Sequence, residues 1–402
     1  AFWSKNRLKG VRVVLPEVVR LSKDREARID LRIETAGTSL RRLKLGFKWP
    51  EEFVVPERVV TAGLPQASSI SSLSLTISAA RRGRYFLDKC YLETSSLLGF
   101  WSVRGAVDLD TEMRVYPNIF GERKNLAALF LRRGGLGLQA VRQVGKGRDF
   151  EKLREYSAGD SYEDIYWKAT ARRGRPITKI FQVERTQEVY LIIDASRLSA
   201  RKTDLDSKGR GPARTTILER YVTAALIVGL AAERQGDLFG LATFSDRVLS
   251  FVRAKNGRTH YNACREALYT LEPDNVTPDF AELFTFIHTR LRRRALLVFL
   301  TNMDDPVLAQ SFAGNVHLLS RHHLVFCHMI NPPGVRPLFS AGEAKSLDDL
   351  YLALGGHFQW AGLGEIQKIL RQKNVVFSVL ESEAMCVALV SQYLSVKQRQ
   401  AL

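Results

Sequence analysis

The sequence predicts an α+β multidomain protein: an N-terminal antiparallel β-sandwich of immunoglobulin-like size, followed by an α/β domain with a doubly wound sheet. Three observations predict it. Residues 11 to about 118 hold short segments of alternating apolar and polar character, joined by Gly, Pro and Ser clusters such as 62–72. From Glu188 onward, continuous apolar runs alternate with helical stripes. Between these regions, residues 119–186 have mixed charge and few apolar runs. The 402 residues suit two or three domains, divided here as 1–118, 119–186 and 187–402. With 45% hydrophobic and 25% charged residues, a largely disordered or collagen-like chain is excluded.

The sandwich rests on candidate strands at 11–15, 27–33, 41–47, 71–77, 84–91 and 112–116. In 27–33, Ile29, Leu31 and Ile33 share one face, and Arg28, Asp30 and Arg32 share the other. About seven strands in this length give an antiparallel sandwich closed near Tyr116-Pro117-Asn118. No catalytic cluster lies within it.

The α/β part begins with the apolar run 189–193, as expected of a parallel strand buried on both faces. A long helix over 215–235 places Ile217, Tyr221, Ala224, Ala225 and Val228 on one stripe. Strands follow at 238–244 and 248–252, helices at 259–271 and 280–292, a strand at 295–300, and one helix over 307–321. Strands at 323–330 and 375–380 and a helix over 381–399 complete the set. In an open sheet of this kind, ligands bind beyond the carboxyl ends of the strands, at the topological switch point.

Those ends carry oxygen-bearing side chains. The first strand leads into Asp194-Ala195-Ser196-Arg197-Leu198-Ser199, the strand at 295–300 into Thr301-Asn302-Met303-Asp304-Asp305, and a loop holds Asn275-Val276-Thr277-Pro278-Asp279. Together they could surround a hard cation such as Mg²⁺. Equally, Asp194 and Ser196 could serve as turn residues, and Asp304 and Asp305 as caps of the helix beginning near Pro306. No phosphate loop is present, since Gly145-Lys146 is followed by Gly147. Glu155, Asp160 and Asp164 lie among Arg148, Lys152, Arg154, Lys168 and Arg172, which favours ion pairing over acid–base catalysis. Ser157 and Ser161 lack a nucleophile-elbow context. His317, His322, His323 and His328 read as core or surface residues rather than metal ligands. No catalytic residue is assigned.

Lys plus Arg number 60 against 42 Asp plus Glu, a net charge of +18. Residues 119–186 alone hold 15 basic and 8 acidic residues, a net +7. The acidic partner could be nucleic acid, an anionic membrane or an acidic protein. Nucleic acid is not expected, because Arg41-Arg42, Arg81-Arg82, Arg132-Arg133, Arg172-Arg173 and Arg292–Arg294 are dispersed and no binding motif accompanies them. Cys90, Cys264, Cys327 and Cys386 are spread singly, so a zinc ribbon and a disulfide framework are not expected, and buried thiols of a reducing cytosol are. The longest apolar-rich run, 221–232, is too short to cross a bilayer. The opening AFWSKNRLKG resembles the cytoplasmic flank of a membrane helix, and an ordinary chain terminus explains it equally well.

Phe150, Leu153-Arg154-Glu155-Tyr156, Gly159-Asp160, Ile165, Trp167-Lys168-Ala169, Ala171-Arg172 and Glu184 closely resemble the signature of bacterial domain-of-unknown-function family 58. Arg82-Gly83-Arg84-Tyr85 and Leu98-Gly99-Phe100 resemble its β-rich portion, and the segment from Tyr393 to Lys397 its closing helix. The resemblance implies a von Willebrand factor A-like α/β domain. Such a domain carries a metal-ion-dependent adhesion site made of an Asp-x-Ser-x-Ser loop, a Thr and a second Asp. Asp194 and Ser196 match the loop and Thr277 the Thr. Leu198 stands where the second Ser is expected, with Ser199 one residue late, and Asn302 stands where the second Asp is expected. The implied Mg²⁺ site is therefore degenerate. Glu163 replaces a usual Arg. Arg154, Glu155, Tyr156, Asp160, Trp167, Lys168 and Arg172 become a candidate partner surface. The resemblance further implies a non-enzymatic adaptor or co-chaperone of a MoxR-type AAA+ ATPase, acting with protein clients in protein maturation or envelope stress. It implies N-terminal membrane anchoring, with the soluble portion at the cytoplasmic face of the inner membrane. A divalent-metal-dependent adhesion module is the alternative.

Overall fold

The structure, a computed structural model, describes residues 8–35, 40–65, 69–96, 100–132, 144–157, 161–182, 187–205, 213–338, 340 and 346–398. The chain divides into two compact units, one of residues 1–121 with 265–272, the other of 122–264 with 273–402.

The first unit holds β1 (Val11–Val14), β2 (Val18–Ser22), β3 (Ala27–Thr35), β4 (Arg42–Phe47), β5 (Phe53–Val54), β6 (Val59–Gly63), β7 (Ile70–Ala79), β8 (Gly83–Ser95) and β9 (Ser102–Tyr116). They form two sheets, β1-β3-β7-β5 and β2-β9-β8-β4-β6. Both line one core, in which Leu31, Ile33 and Ile77 from the first sheet meet Leu43, Leu45, Met113 and Val115 from the second. Alternation is the cause. In β3, Ile29, Leu31 and Ile33 are buried while Arg28, Asp30 and Arg32 stay in water. The expectation of a purely antiparallel sandwich is corrected: β2 runs parallel to β9, Val18 opposite Glu112 through Ser22 opposite Tyr116. β2, β5 and β6 also lie outside the strands expected from sequence. All three are short, and β6 keeps only Ala62 fully buried, so their periodicity is faint.

The second unit starts with α1 (Phe120–Arg132), β10 (Val144–Glu155), α2 (Trp167–Arg173) and β11 (Ile177–Gln182). β12 (Glu188–Asp194), the hairpin β13 (Lys202–Leu205) and β14 (Ala213–Thr216), α3 (Ile217–Arg234), β15 (Leu238–Phe244) and β16 (Val248–Lys255) follow. Then come α4 (Arg258–Leu268), α5 (Phe280–Arg290), β17 (Leu296–Leu300), α6 (Pro306–Asn315), α7 (His317–Ser320) and β18 (Leu324–Ile330). The last elements are α8 (Leu347–Gln372), β19 (Val375–Leu380) and α9 (Met385–Gln398).

Six strands form the central sheet in the order β16-β15-β12-β17-β18-β19. Numbered along the chain, this is the doubly wound order 3-2-1-4-5-6, with its switch point between β12 and β17. All neighbours are parallel except the edge strand β16, which runs antiparallel to β15. The inner strands are covered on both faces, which is why they read as unbroken apolar runs: every residue of β17 is buried. One face carries a cluster of Phe280, Phe284, Phe299 and Phe312, all 0% exposed, with edge-on ring pairs 5.1–5.5 Å apart. Gly240 sits against the Tyr190 ring, where a Cβ would stand 2.3 Å from Cε1.

Three expectations change. The helix expected over 307–321 is two helices, α6 and α7, broken at Val316. The hairpin of β13 and β14 is an addition. So is α8, with 26 residues the longest helix among the described residues. Its glycines and its uncharged stretch hide the helical period. Gly356 is there for a reason, since a Cβ would lie 2.0 Å from the Gly334 carbonyl oxygen. No helix among the described residues is long and apolar enough to cross a membrane. The four cysteines are buried free thiols, and burial pushes those of Cys90, Cys264 and Cys386 up to about 12.

Asp237, 1% exposed, ties α9 to the end of α3. It accepts hydrogen bonds from the Tyr393 hydroxyl, the Gln187 amide at 3.2 Å and Lys397 Nζ at 2.8 Å. Asp237→Ala leaves the buried Tyr393 phenol without its acceptor and Lys397 without its counter-charge, with only the Gln235 carbonyl at 2.9 Å, so a loss of about 3–5 kcal/mol is expected in urea unfolding. The exposed pair of Lys368 and Glu365 serves as control, and Lys368→Ala should cost under about 1 kcal/mol. Equal costs for the two variants would refute the assignment.

Candidate functional site

The site lies where β12 and β17 end side by side. Asp194 closes β12 and is 0% exposed. Its Oδ1 accepts the Ser196 amide at 2.8 Å and its Oδ2 accepts the Thr301 hydroxyl at 2.6 Å. Ser196 Oγ in turn accepts the Leu198 amide at 3.3 Å, and Ser199 Oγ donates to the Ser196 carbonyl at 2.8 Å. Asp194-Ala195-Ser196 is thus a closed turn in which each short polar side chain bonds its own backbone two residues on. Burial raises the Asp194 carboxyl above its ordinary value, and the bonds from Thr301 and Ser196 oppose the rise.

Leu198 explains one departure from the adhesion-site pattern. It is 1% exposed and packs in the core with Phe244 and Phe280, where a Ser would leave a void. Asn302 follows β17 and is buried. Its Oδ1 accepts the hydroxyl of Tyr221, from α3, at 2.8 Å, while its Nδ2 has no partner among the described residues. Burial, with the Asp194 carboxylate next, pushes the Tyr221 phenol well up, so it stays a donor.

Thr277 is not drawn into this cluster. It is exposed in the loop before α5, and its Oγ1 accepts Arg197 Nε at 3.3 Å. The two loops touch through the Arg197 amide and the Val276 carbonyl at 3.0 Å, and through the Asp274 amide and the Ala195 carbonyl at 2.7 Å. Asp304 pairs with Arg201. Asp305 caps α6, accepting the Val307 amide at 2.9 Å, as its position before Pro306 suggested. The structure therefore brings Asp194, Ser196 and Asn302 to one edge and leaves Thr277 on the rim.

A hard divalent cation needs about six oxygens with several negative charges among them. This edge offers two carboxylates: both oxygens of Asp194 already accept bonds, and one oxygen of Asp304 is held by Arg201 while its Oδ1 is buried with no hydrogen-bond partner among the described residues. Arg197 stands on the very hydroxyl expected as a ligand. These residues do not fit Mg²⁺. Tyr221, Arg197 and Arg201 are the site residues that sequence reading missed, and Thr301 was named there only as part of its strand-end run. Thr301 and Arg197 are neighbours in sequence of residues it singled out, and their polar side chains at a strand end were the available signal.

The signature segment forms a separate module. β10 and β11 pair antiparallel, and Glu155 meets Ile177 at their open end. Between them a short turn and α2 pack back, with the Tyr166 amide donating to the Ile177 carbonyl at 2.7 Å and Lys179 Nζ 4.4 Å above the Tyr166 ring. Tyr156 stacks on Tyr162 at 5.8 Å, and the exposed Glu155 meets Arg175 at 3.4 Å. Trp167 and Tyr162 stand 69% and 76% exposed, and Arg154, Lys168 and Arg172 are exposed beside them in the sequence. Asp160, Gly159 and Glu184 lie outside the described residues.

Strand order and the antiparallel edge give the second unit a von Willebrand factor A-like α/β fold. The chain carries the DUF58 segment: the family model described as "Protein of unknown function DUF58" matches residues 152–344. The uncharacterised protein Rv1480 of Mycobacterium tuberculosis is 24% identical over 165 residues, 40% of this chain and 49% of its own length. The uncharacterised protein YeaD of Bacillus subtilis is 24% identical over 123 residues, 31% of each chain. Among solved structures, BatB from Bacteroides thetaiotaomicron covers 53% of this chain and 99% of its own, at 14% identity and a TM-score of 0.32. The match spans about half the length of Rv1480, and less of YeaD.

The raised Asp194 carboxyl predicts a pH dependence. In the unfolded chain this group ionises near 3.8, while in the folded chain it holds its proton to higher pH. Its contribution therefore falls as pH rises from about 4 toward the folded value. Asp194→Asn should remove that fall and be at least as stable as wild type at pH 7. Asp194→Leu, which strands the Thr301 hydroxyl and the Ser196 amide, should cost about 1–3 kcal/mol per stranded group. Melting curves between pH 4 and 8 check both, and an Asn variant less stable at pH 7 than at pH 4 would contradict the assignment.

Proposed function

We propose that this chain is a non-enzymatic binding or scaffold protein. In this reading it is a membrane-anchored adaptor that holds protein clients for a MoxR-type AAA+ ATPase at the cytoplasmic face of the inner membrane. One observation carries the reading: Trp167 and Tyr162 stand two-thirds or more exposed on a module that also presents Lys168, Arg172, Arg173 and Arg175. Trp, Tyr and Arg are the residues that dominate the centres of protein interfaces, and an exposed Trp gains most by being covered. The cations suit an acidic partner. The paired Glu155 supports a structural role over acid–base catalysis. Arg197 and Arg201, at the end of the central sheet, extend the same preference to that edge. The ring ATPase supplies the energy and this chain supplies the grip.

Co-elution of the chain with its MoxR-type ATPase tests this. Trp167→Ala and Arg172→Glu should each weaken co-elution at least about tenfold, with melting temperatures unchanged. Wild-type chain that neither co-elutes nor alters ATP turnover overturns the proposal.

A second reading, a divalent-metal-dependent adhesion module, draws on the buried Asp194–Ser196 turn. Titration calorimetry with Mg²⁺ and Mn²⁺ separates the two. The expected result is no heat and no shift in melting temperature at millimolar metal, and saturable binding lost in Asp194→Asn would restore the metal reading.

A further inference from the structure

α8 presents a face that nothing in the described chain covers. Its start is fixed, because Ser346 Oγ accepts the Asp349 amide and Asp349 returns the bond to the Ser346 amide, both at 3.1 Å. From 350 to 364 there is no Asp, Glu, Lys or Arg. Gly356, Leu363 and Leu370, seven residues apart, are its buried stripe. On the opposite side stand Leu347, Tyr351, Leu354, Phe358 and Ala361. Leu347 is 73% exposed, Tyr351 69% and Phe358 67%. A helix apolar on all sides belongs in an interior.

The spacing of the outer stripe, four then three then four then three, is that of a two-helix seam. Open space surrounds the positions where a Cβ would stand on Gly355 and Gly362, so a second backbone can come close. From Leu347 to Ala361 the face carries no charge, Glu365 and Lys368 pairing with each other where the stripe ends, and the acidic first turn, Asp348 and Asp349, disfavours an anionic lipid surface. What fits is another helix of the same kind. A second copy in antiparallel orientation supplies one, aligns the two helix dipoles head to tail, and keeps charge out of the seam. The area suffices: aromatic side chains bury about 150–250 Å² each, so with the leucines the face offers several hundred Å² per copy, the range of small reversible interfaces.

We infer that α8 is a self-association surface, pairing antiparallel with α8 of a second copy. Sedimentation of the chain between about 1 and 100 μM reads this directly. The mass should rise from 45.4 kDa toward twice that value with concentration. Tyr351→Glu and Phe358→Glu should each weaken association at least about a hundredfold, with circular dichroism and melting unchanged. The native thiols are buried, so Leu354→Cys should give a single cross-linked dimer on oxidation. Three results would overturn the inference: a monomer throughout, a dimer indifferent to both Glu substitutions, or a monomer whose vesicle binding those substitutions abolish.

Discussion

The hydrogen bond from Thr301 to Asp194 joins the two strands between which the whole sheet divides. On one side of it the chain winds outward through α3, β15 and β16. On the other it winds through α6, α7 and β18. The buried carboxylate therefore has a structural partner for each oxygen before any ligand arrives. Its surroundings follow from that. Leu198 can turn into the core because no hydroxyl is needed beside Asp194. Asn302 can lean on Tyr221 because no second carboxylate is needed. Two guanidinium groups stand at the rim, Arg197 on the Thr277 hydroxyl and Arg201 on Asp304. This set of side chains leaves few free oxygens for a divalent cation at the sheet edge.

Much of the fold was legible in the sequence for one physical reason. β12, β15, β17 and β18 are covered on both faces, so each had to be an apolar run, and each was found within a residue or two. β3 was legible because one face is wet. What escaped lacked such a constraint. β5 is two residues long, β6 lies at a sheet edge, and β2 pairs in parallel, which no local pattern announces. α8 escaped because its apolar residues surround the axis, so no wet face marks a period.

The site was half legible. Asp194, Ser196 and Asn302 were placed together by strand ends and by family pattern. Thr277 was not, since its position in a loop fixed neither depth nor direction. Arg197 and Arg201 carried no pattern that tied them to the site, and the fold sets them beside Thr277 and Asp304. The excess of positive charge noted at the outset gains a local meaning here. Cations line both the sheet edge and the module around Trp167, whereas the outer face of α8 from Leu347 to Ala361 has none. The chain thus separates a polar recognition surface from an apolar one.

The adjacency of β12 and β17 has a further consequence, for the time at which the site comes into being. Asp194 and Thr301 are 107 residues apart in the chain. Between them lie the β13–β14 hairpin, α3, β15, β16, α4, α5 and β17. Closing so long a loop is entropically costly and is repaid only when the central sheet forms. During synthesis the Asp194 carboxylate emerges well before its partner and remains hydrated and ionised. The edge acquires its final, water-excluded character only when β12 and β17 pair at the centre of the sheet.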